Sequence, residues 1–489
     1  AISIFYKMCS IQFKEGAEWK AKAEAFNTQV HEIQAVRGNI FDINGNLLAT
    51  SLPYYEVAVD INAPSIDKKL FEAKVDSLGT MIADLFKDKS AKQYIKLLRK
   101  ARKSGDRYVV LKRNVPFKDL QTLKTFPIFK KGKRGGLVTL QTNKRERPFK
   151  MLAARTIGMA REGVKPVGLE GAYDTLLKGI SGQRLMQKIA GDVWRPINDE
   201  NEVEPKDGSD LYTTIDINIQ DVAENALMNT LIKNKASHGC AILMEVKTGE
   251  IKAIANLTRD GKDSSAYSES LNYAIGYATE PGSTFKLASY LAVMDDYNIS
   301  LDEKIQVGNG EVTYYNKTIK DAHAPESPVL TLKRAFEVSS NVAAAKTIVK
   351  YYSKNPQQYI NKLKSFHLNE KLGLAIPGEA NPLIKETKSK DWSGLSLPQI
   401  SYGYESLITP LQTLTLYNAI ANDGKMVKPR FEREIKHNGK TVKTFSTEVI
   451  AEQIVKPSTV KKAKEMLEGV VQNGSGKGLN ITAFKVGEK

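Results

Sequence analysis

Cysteine is scarce in this chain: Cys9 and Cys240 stand far apart and in unlike surroundings. No disulfide framework and no cysteine-rich metal site can be assembled from them. Histidine is nearly as sparse. His31, His238, His323, His367 and His437 never fall at the short spacing of a zinc-binding helix, so no metal and no zinc chemistry is expected. Long apolar runs are missing too. The opening AISIFY is apolar but ends at Lys7, far short of the roughly 20 residues a membrane-spanning helix needs. It reads either as the end of a buried strand or helix, or as the outer end of a membrane anchor whose remainder precedes residue 1, since the polar helical stretch FKEGAEWKAKAEAF follows it. No internal repeat of roughly 20 to 50 residues is present, which excludes a solenoid.

What is present suits a folded chain of several domains. The 489 residues are 41% hydrophobic and 26% charged, enough apolar material for roughly two to four cores. Lys and Arg number 72 against 55 Asp and Glu, a net of +17, so the surface should attract something anionic. The densest basic cluster, Lys130, Lys131, Lys133 and Arg134, sits among glycines in the manner of a solvated loop. No helical or aromatic-interleaved basic stripe accompanies it, so nucleic acid is not expected as a partner. An anionic membrane surface or cell-wall polymer fits the charge equally well.

Residues 13–35 read as a polar helix or extended stalk, and residues 1–35 as a membrane-proximal segment. Alternating apolar residues then flank Asn44-Gly45, a hairpin signal. A second strand pattern covers Tyr54 to Asp60, and Lys69 to Ala101 carries apolar residues at helical spacing. A short helix bounded by glycines is expected between Gly168 and Gly182. The polar, turn-rich Glu204 to Asp210 is the expected domain boundary, giving domains at 36–209 and 210–489. Beyond it come a strand at Leu211 to Ile215, a helix at Gln220 to Leu231, and strands at Cys240 to Val246 and Ile251 to Ala255 on either side of Lys247-Thr248-Gly249. This alternation indicates an α/β or α+β catalytic domain.

Three S-x-x-K matches begin at Ser65, Ser283 and Ser458. Only Ser283 combines a preceding Pro281-Gly282 turn with a following apolar helical run, Leu287 to Met294. A serine hydroxyl is a poor nucleophile unless a base takes its proton. One helical turn brings Lys286 beside Ser283, and burial can lower a lysine's pKa enough for it to serve as that base. The bland alternative is a helix N-cap with an exposed lysine. Against it stands Ser339-Ser340-Asn341 at the head of another apolar helical run, an S-x-N that matches Ser270-Leu271-Asn272 and Ser353-Lys354-Asn355 in letters but not in context.

P-G-S-T-F-K followed by S-S-N resembles the first two active-site boxes of penicillin-binding proteins and serine β-lactamases. Arg37-Gly38 to Ala49 resembles the pedestal signature of the class B penicillin-binding proteins, which β-lactamases lack. Gly168-Leu169-Glu170 with Tyr173 and Gly179, Thr214-Ile215-Asp216 with Gln220, and Tyr402-Gly403 to Gln412 extend the likeness from residue 37 to about 480. The resemblance implies an α+β multidomain protein: an extended α+β pedestal of the dimerisation type, then a transpeptidase domain with an antiparallel sheet flanked by helices. It implies a division-type peptidoglycan D,D-transpeptidase without cofactor, taking D-Ala-D-Ala stem peptides and acylated by β-lactams. Ser283 would attack, Lys286 would accept its proton, Ser339 would relay a proton to the leaving amine, and Asn341 would orient Lys286 and the substrate amide. It further implies a single N-terminal anchor in the bacterial inner membrane, an extracytoplasmic (periplasmic) catalytic domain, and a glycan polymerase and other division proteins as partners. A β-lactamase or β-lactam sensor using the same serine, and a non-catalytic division scaffold, are the alternatives.

The family's third box, K-[ST]-G, should follow S-x-N. The one K-T-G present, Lys247-Thr248-Gly249, precedes Ser283 and reads as a hairpin turn. After Asn473-Gly474-Ser475-Gly476-Lys477-Gly478-Leu479 the family pattern leads into F-K-V-A-G-K-T-G-T, whereas here Phe484-Lys485-Val486-Gly487-Glu488-Lys489 stands. The expectation is that the transpeptidase domain is incomplete as given and that an intact protein carries K-T-G beyond residue 486.

Overall fold

The computed structural model describes residues 3, 7–8, 10–15, 28–161, 163–190, 193–196, 203–261, 265–481 and 483–489. Most of AISIFY and residues 16–27 of the expected stalk lie outside the described residues, while Thr28–Ile33 is a strand. The chain gathers into two compact units, one of residues 1–39, 49–148 and 175–210, the other of residues 40–48, 149–174 and 211–489. No helix among the described residues is long and apolar enough to cross a membrane.

In the smaller unit, β1 (Leu47–Val59) lies between β2 (Val109–Pro116) and β3 (Leu137–Glu146), antiparallel to both. The two short strands expected around Leu47 and Tyr54 are thus one continuous strand running through Pro53. Proline is tolerated because Pro53 is locally at an edge: β2 pairs only from Tyr54 onward, which leaves Pro53 paired on one side alone, with Asn143 of β3. The helical spacing of Lys69 to Ala101 resolves into α1 (Lys68–Phe86) and α2 (Ala91–Ser104), started by Asp67 and by a Ser90/Gln93 capping box. Their stripe of Phe71, Val75, Leu78, Ile82, Tyr94 and Leu98 is buried with Val57 and Val59 of the sheet. Gly38 passes so close to Ser209 that a Cβ would stand 2.1 Å from its carbonyl oxygen. Glycine is therefore required at the second position of the Arg37-Gly38 signature.

In the larger unit, α3 (Ile217–Asn234), capped by Asp216, packs on the antiparallel pair β4 (His238–Met244) and β5 (Ile251–Arg259). Lys247-Thr248-Gly249 is the turn joining that pair, as its flanking strand patterns predict. A largely helical layer follows. Its centre is α4 (Lys286–Tyr297), in which no residue from Leu287 to Met294 is more than 1% exposed. A helix buried on every side must be apolar all round, and from Leu287 to Met294 this one is, apart from Ser289; Lys286 at its start is buried too, and Asp295 near its end is buried against Lys362 and Thr459. Ser289 is satisfied by the Ser401 carbonyl at 2.7 Å and by Tyr359. Around α4 stand the hairpin β6 (Glu311–Tyr314) and β7 (Lys317–Lys320), then α5 (Leu332–Glu337), α6 (Asn341–Tyr352), α7 (Pro410–Ala421) and α8 (Pro457–Asn473). Their apolar faces share one core, with Phe285, Tyr290, Phe336, Ile348, Tyr352 and Met466 buried in it.

Candidate active site

Ser283 does not sit in the first turn of the α-helix proper. Gly282–Phe285 is a 3-10 turn, and the α-helix begins at Lys286. In a 3-10 turn, side chains three apart eclipse one another, which brings the lysine onto the serine: Lys286 Nζ lies 3.1 Å from Ser283 Oγ. The turn is held from outside. Thr284 Oγ1 donates to the Pro281 carbonyl, and Tyr417 of α7 donates to the Thr284 carbonyl, both at 2.8 Å. Gly403 lies directly against it, with φ +91° and space for no Cβ, which would stand 2.1 Å from the Gly282 carbonyl oxygen.

Ser339 reaches the same lysine from the turn between α5 and α6. Lys286 Nζ donates to the Ser339 carbonyl at 2.6 Å and lies 3.0 Å from Ser339 Oγ. Both oxygens can face Nζ because Ser339 adopts φ +59°, a left-handed conformation costly for any residue with a Cβ. Ser340 takes the N-cap of α6, its Oγ accepting from Ala343 N. Asp321, immediately after β7, accepts from Ser340 Oγ and from the Asn341 and Val342 amides. The Asn341 side-chain amide donates to the Lys320 carbonyl at 2.9 Å. No bond from Asn341 to Lys286 occurs among the described residues, so the orienting contact that the family resemblance implies is absent from this arrangement.

The lysine is 0% exposed, and burial drives its pKa from 10.5 down to about 7, partly opposed by the Asp321 charge. An ammonium in an apolar surrounding loses its hydration, which favours the neutral amine. A second lysine stands close by. Lys489 Nζ donates to the Phe336 carbonyl at 2.6 Å and lies 4.3 Å from the centre of that ring. Its pKa is also pushed down, by burial first and by the charge of Lys286 second. Burial and the neighbouring charge of Lys286 both favour the neutral amine of Lys489.

Ser283, Lys286 and Ser339 are therefore brought together, and Asn341 stands at the head of α6 without touching the lysine. The two other S-x-x-K serines are elsewhere: Ser65 bonds the Arg134 carbonyl, and Ser458 is exposed in the first turn of α8. Asp321, Gly403 and Lys489 were not legible as site residues. Lys489 had a signal, since FKVGEK laid on F-K-V-A-G-K ends on the lysine that opens the third box. Asp321 had none, because only the hairpin's fold carries it to α6. No group of three or more His, Cys, Asp or Glu that could hold a metal occurs among the described residues.

A family model described as "Penicillin binding protein transpeptidase domain" matches residues 239–489, and one described as "Penicillin-binding Protein dimerisation domain" matches residues 32–213. The penicillin-binding protein PbpB of Mycolicibacterium smegmatis is 26% identical over 485 residues, covering 94% of this chain and 72% of that protein. The peptidoglycan D,D-transpeptidase FtsI of Buchnera aphidicola is 28% identical over 314 residues, covering 61% of this chain; the chain spans only 53% of that relative's length. Among solved structures, Penicillin Binding Protein 2X from Streptococcus thermophilus superposes with a TM-score of 0.74 at 20% identity, covering 94% of this chain and 69% of that one. At that identity the likeness speaks for the fold alone. With the dimerisation domain preceding the transpeptidase domain, as the pedestal signature and the active-site boxes imply, this chain belongs to the class B penicillin-binding proteins.

Proposed function

We propose that this chain is a peptidoglycan D,D-transpeptidase of septal wall synthesis that works through an acyl-enzyme on Ser283. The observation that carries the reading is Lys286, a lysine buried between two serine hydroxyls with its pKa lowered to about 7. A neutral amine has two N–H groups and one lone pair. With the N–H groups directed to the Ser339 carbonyl at 2.6 Å and Ser339 Oγ at 3.0 Å, the lone pair is left for the Ser283 hydroxyl at 3.1 Å.

In this scheme Ser283 Oγ attacks the carbonyl carbon of the penultimate D-Ala, and its proton passes to Lys286 Nζ. The tetrahedral adduct collapses with cleavage of the C–N bond to the terminal D-Ala. The leaving nitrogen takes a proton from the Ser339 hydroxyl, which is replenished from Lys286. The amine of a neighbouring stem peptide then attacks the ester carbonyl and gives up its proton along the same path, and Ser283 departs as the free hydroxyl. Asn341 Oδ1 is left for the substrate's amide N–H. A β-lactam ring acylates Ser283 in the same way, but its leaving nitrogen stays tethered and obstructs the acceptor.

The substrate is found outside the cytoplasm, so the catalytic unit belongs on the extracytoplasmic face of the inner membrane. A single N-terminal anchor and a partnership with a glycan polymerase and other division proteins complete the proposal. Labelling of the intact protein with a fluorescent penicillin, followed by mapping of the modified peptide, is the test. A long-lived adduct on Ser283, lost in Ser283→Ala, is expected. Rapid hydrolysis of the penicillin would make the protein a β-lactamase, and full cellular function of Ser283→Ala would make it a scaffold.

A further inference from the structure

Ser339 holds Lys286 only because its backbone is kept at φ +59°, and nothing in Ser339 itself favours that angle. For a residue with a Cβ the left-handed region is disfavoured, because Cβ crowds the following carbonyl oxygen. The residue would relax to negative φ unless its neighbours were fixed, and that relaxation would turn the carbonyl and hydroxyl away from the lysine together. The fixing comes from outside the segment. Asp321 Oδ1 accepts from Asn341 N at 2.6 Å and from Val342 N at 2.9 Å, and Oδ2 accepts from Ser340 Oγ at 2.8 Å. The Asn341 side chain binds the carbonyl of the adjacent Lys320. Two consecutive residues at the foot of the β6–β7 hairpin therefore grip Ser340, Asn341 and Val342, the three residues that follow Ser339. Asp321 is anchored in turn, its own N–H donating to the Gly310 carbonyl at 2.9 Å.

We propose that Asp321 is a positioning residue of the acylation site, holding Ser339 against Lys286 through the head of α6 and keeping a fixed negative charge near the lysine. The inference rests on the transpeptidase reading. Its two parts act through different groups. The hydrogen bonds act on the place of Ser339. The charge acts on the lysine, whose surroundings are Ser283 of its own turn, Ser339, Lys489 from the C-terminal segment, Tyr290 one helical turn on, and Asp321. Of these, only Asp321 is an acid that favours the ammonium.

The test is the rate of Ser283 acylation by a fluorescent penicillin, measured on the intact protein from pH 5.5 to 9 for the wild type, Asp321→Asn, Asp321→Ala and Ser340→Ala. Asparagine keeps an Oδ1 that can accept both backbone amides but carries no charge. Asp321→Ala should acylate roughly ten- to a hundredfold more slowly, the scale of a misplaced proton-transfer group. Asp321→Asn should lose less rate, and its acid limb should move to lower pH by about half a unit or more, because removal of a nearby negative charge favours the neutral amine. Ser340→Ala should slow acylation and leave the limb in place. A purely structural part for Asp321 would slow the reaction alike at every pH, so a limb that stays put in Asp321→Asn overturns the electrostatic part. Folded Asp321→Ala acylating within twofold of wild type overturns the positioning part. If Asp321→Ala does not fold, the rate of Ser340→Ala decides the positioning part, overturned by a rate within twofold of wild type, and the limb of Asp321→Asn decides the electrostatic part. Failure of wild-type protein to label at Ser283 would instead remove the transpeptidase reading, and this inference with it.

Discussion

Between pH 5 and 9 the acylation rate of Ser283 should trace the titration of Lys286. An ordinary lysine at 10.5 is neutral in only about one molecule in 3,000 at pH 7, whereas one at about 7 is neutral in half. The difference amounts to about 5 kcal/mol against the ammonium, at ~1.4 kcal/mol per pH unit. Under single-turnover conditions with saturating penicillin, the rate should rise about tenfold per pH unit at the acid end, bend near pH 7 and then level. Lys286→Ala should lose about 10² to 10⁴ in rate, together with the limb. A rate that is flat across this range, or that climbs without a bend through pH 9, would refute the assignment of Lys286 as the base in its buried state.

Three further outcomes are expected. Gly403→Ala should destabilise the fold by about 2 kcal/mol or more in urea unfolding and slow acylation, since its Cβ would meet the Gly282 carbonyl at 2.1 Å and its φ is +91°; a change below about 0.5 kcal/mol would contradict this. Ser339→Gly should leave stability unchanged or raise it by about 1 kcal/mol by relieving the left-handed strain, yet slow acylation by about 10² or more; a clear loss of stability would show that the conformation is not strained. The third concerns Glu269, buried with its carboxylate accepting from Arg155 N at 2.7 Å and Asn256 N at 2.9 Å, and raised by burial to about 8 despite those bonds. The folded state therefore retains a proton that the unfolded chain releases near 4.5, and stability attributable to this group falls as pH rises from about 4.5 through about 8. Glu269→Gln should flatten that slope in thermal unfolding between pH 5 and 8, and an unchanged slope would exclude Glu269 as its source.

Local patterns were informative wherever short-range physics decides the outcome. Asp67 and Ser90 start helices whose apolar spacing was already visible, and Lys247-Thr248-Gly249 turns between two strands despite spelling a catalytic box. The strand through Pro53 was less legible. Whether proline interrupts a strand depends on where the neighbouring strand ends, and β2 ends at the partner of Tyr54.

By itself the sequence pointed to the family and singled out Ser283 and Lys286 as the candidate nucleophile and base, because Pro281-Gly282, the apolar run of α4 and the three-residue spacing of Ser283 and Lys286 are all properties of contiguous residues. Only the tertiary structure decided the surroundings of Lys286. Burial on every side of α4 lowers the lysine's pKa, and burial is a property of what packs around a helix. The left-handed Ser339, the grip of Asp321 twenty residues away from Asn341, and the approach of Lys489 to Lys286 likewise come from distant segments meeting, which no local pattern records.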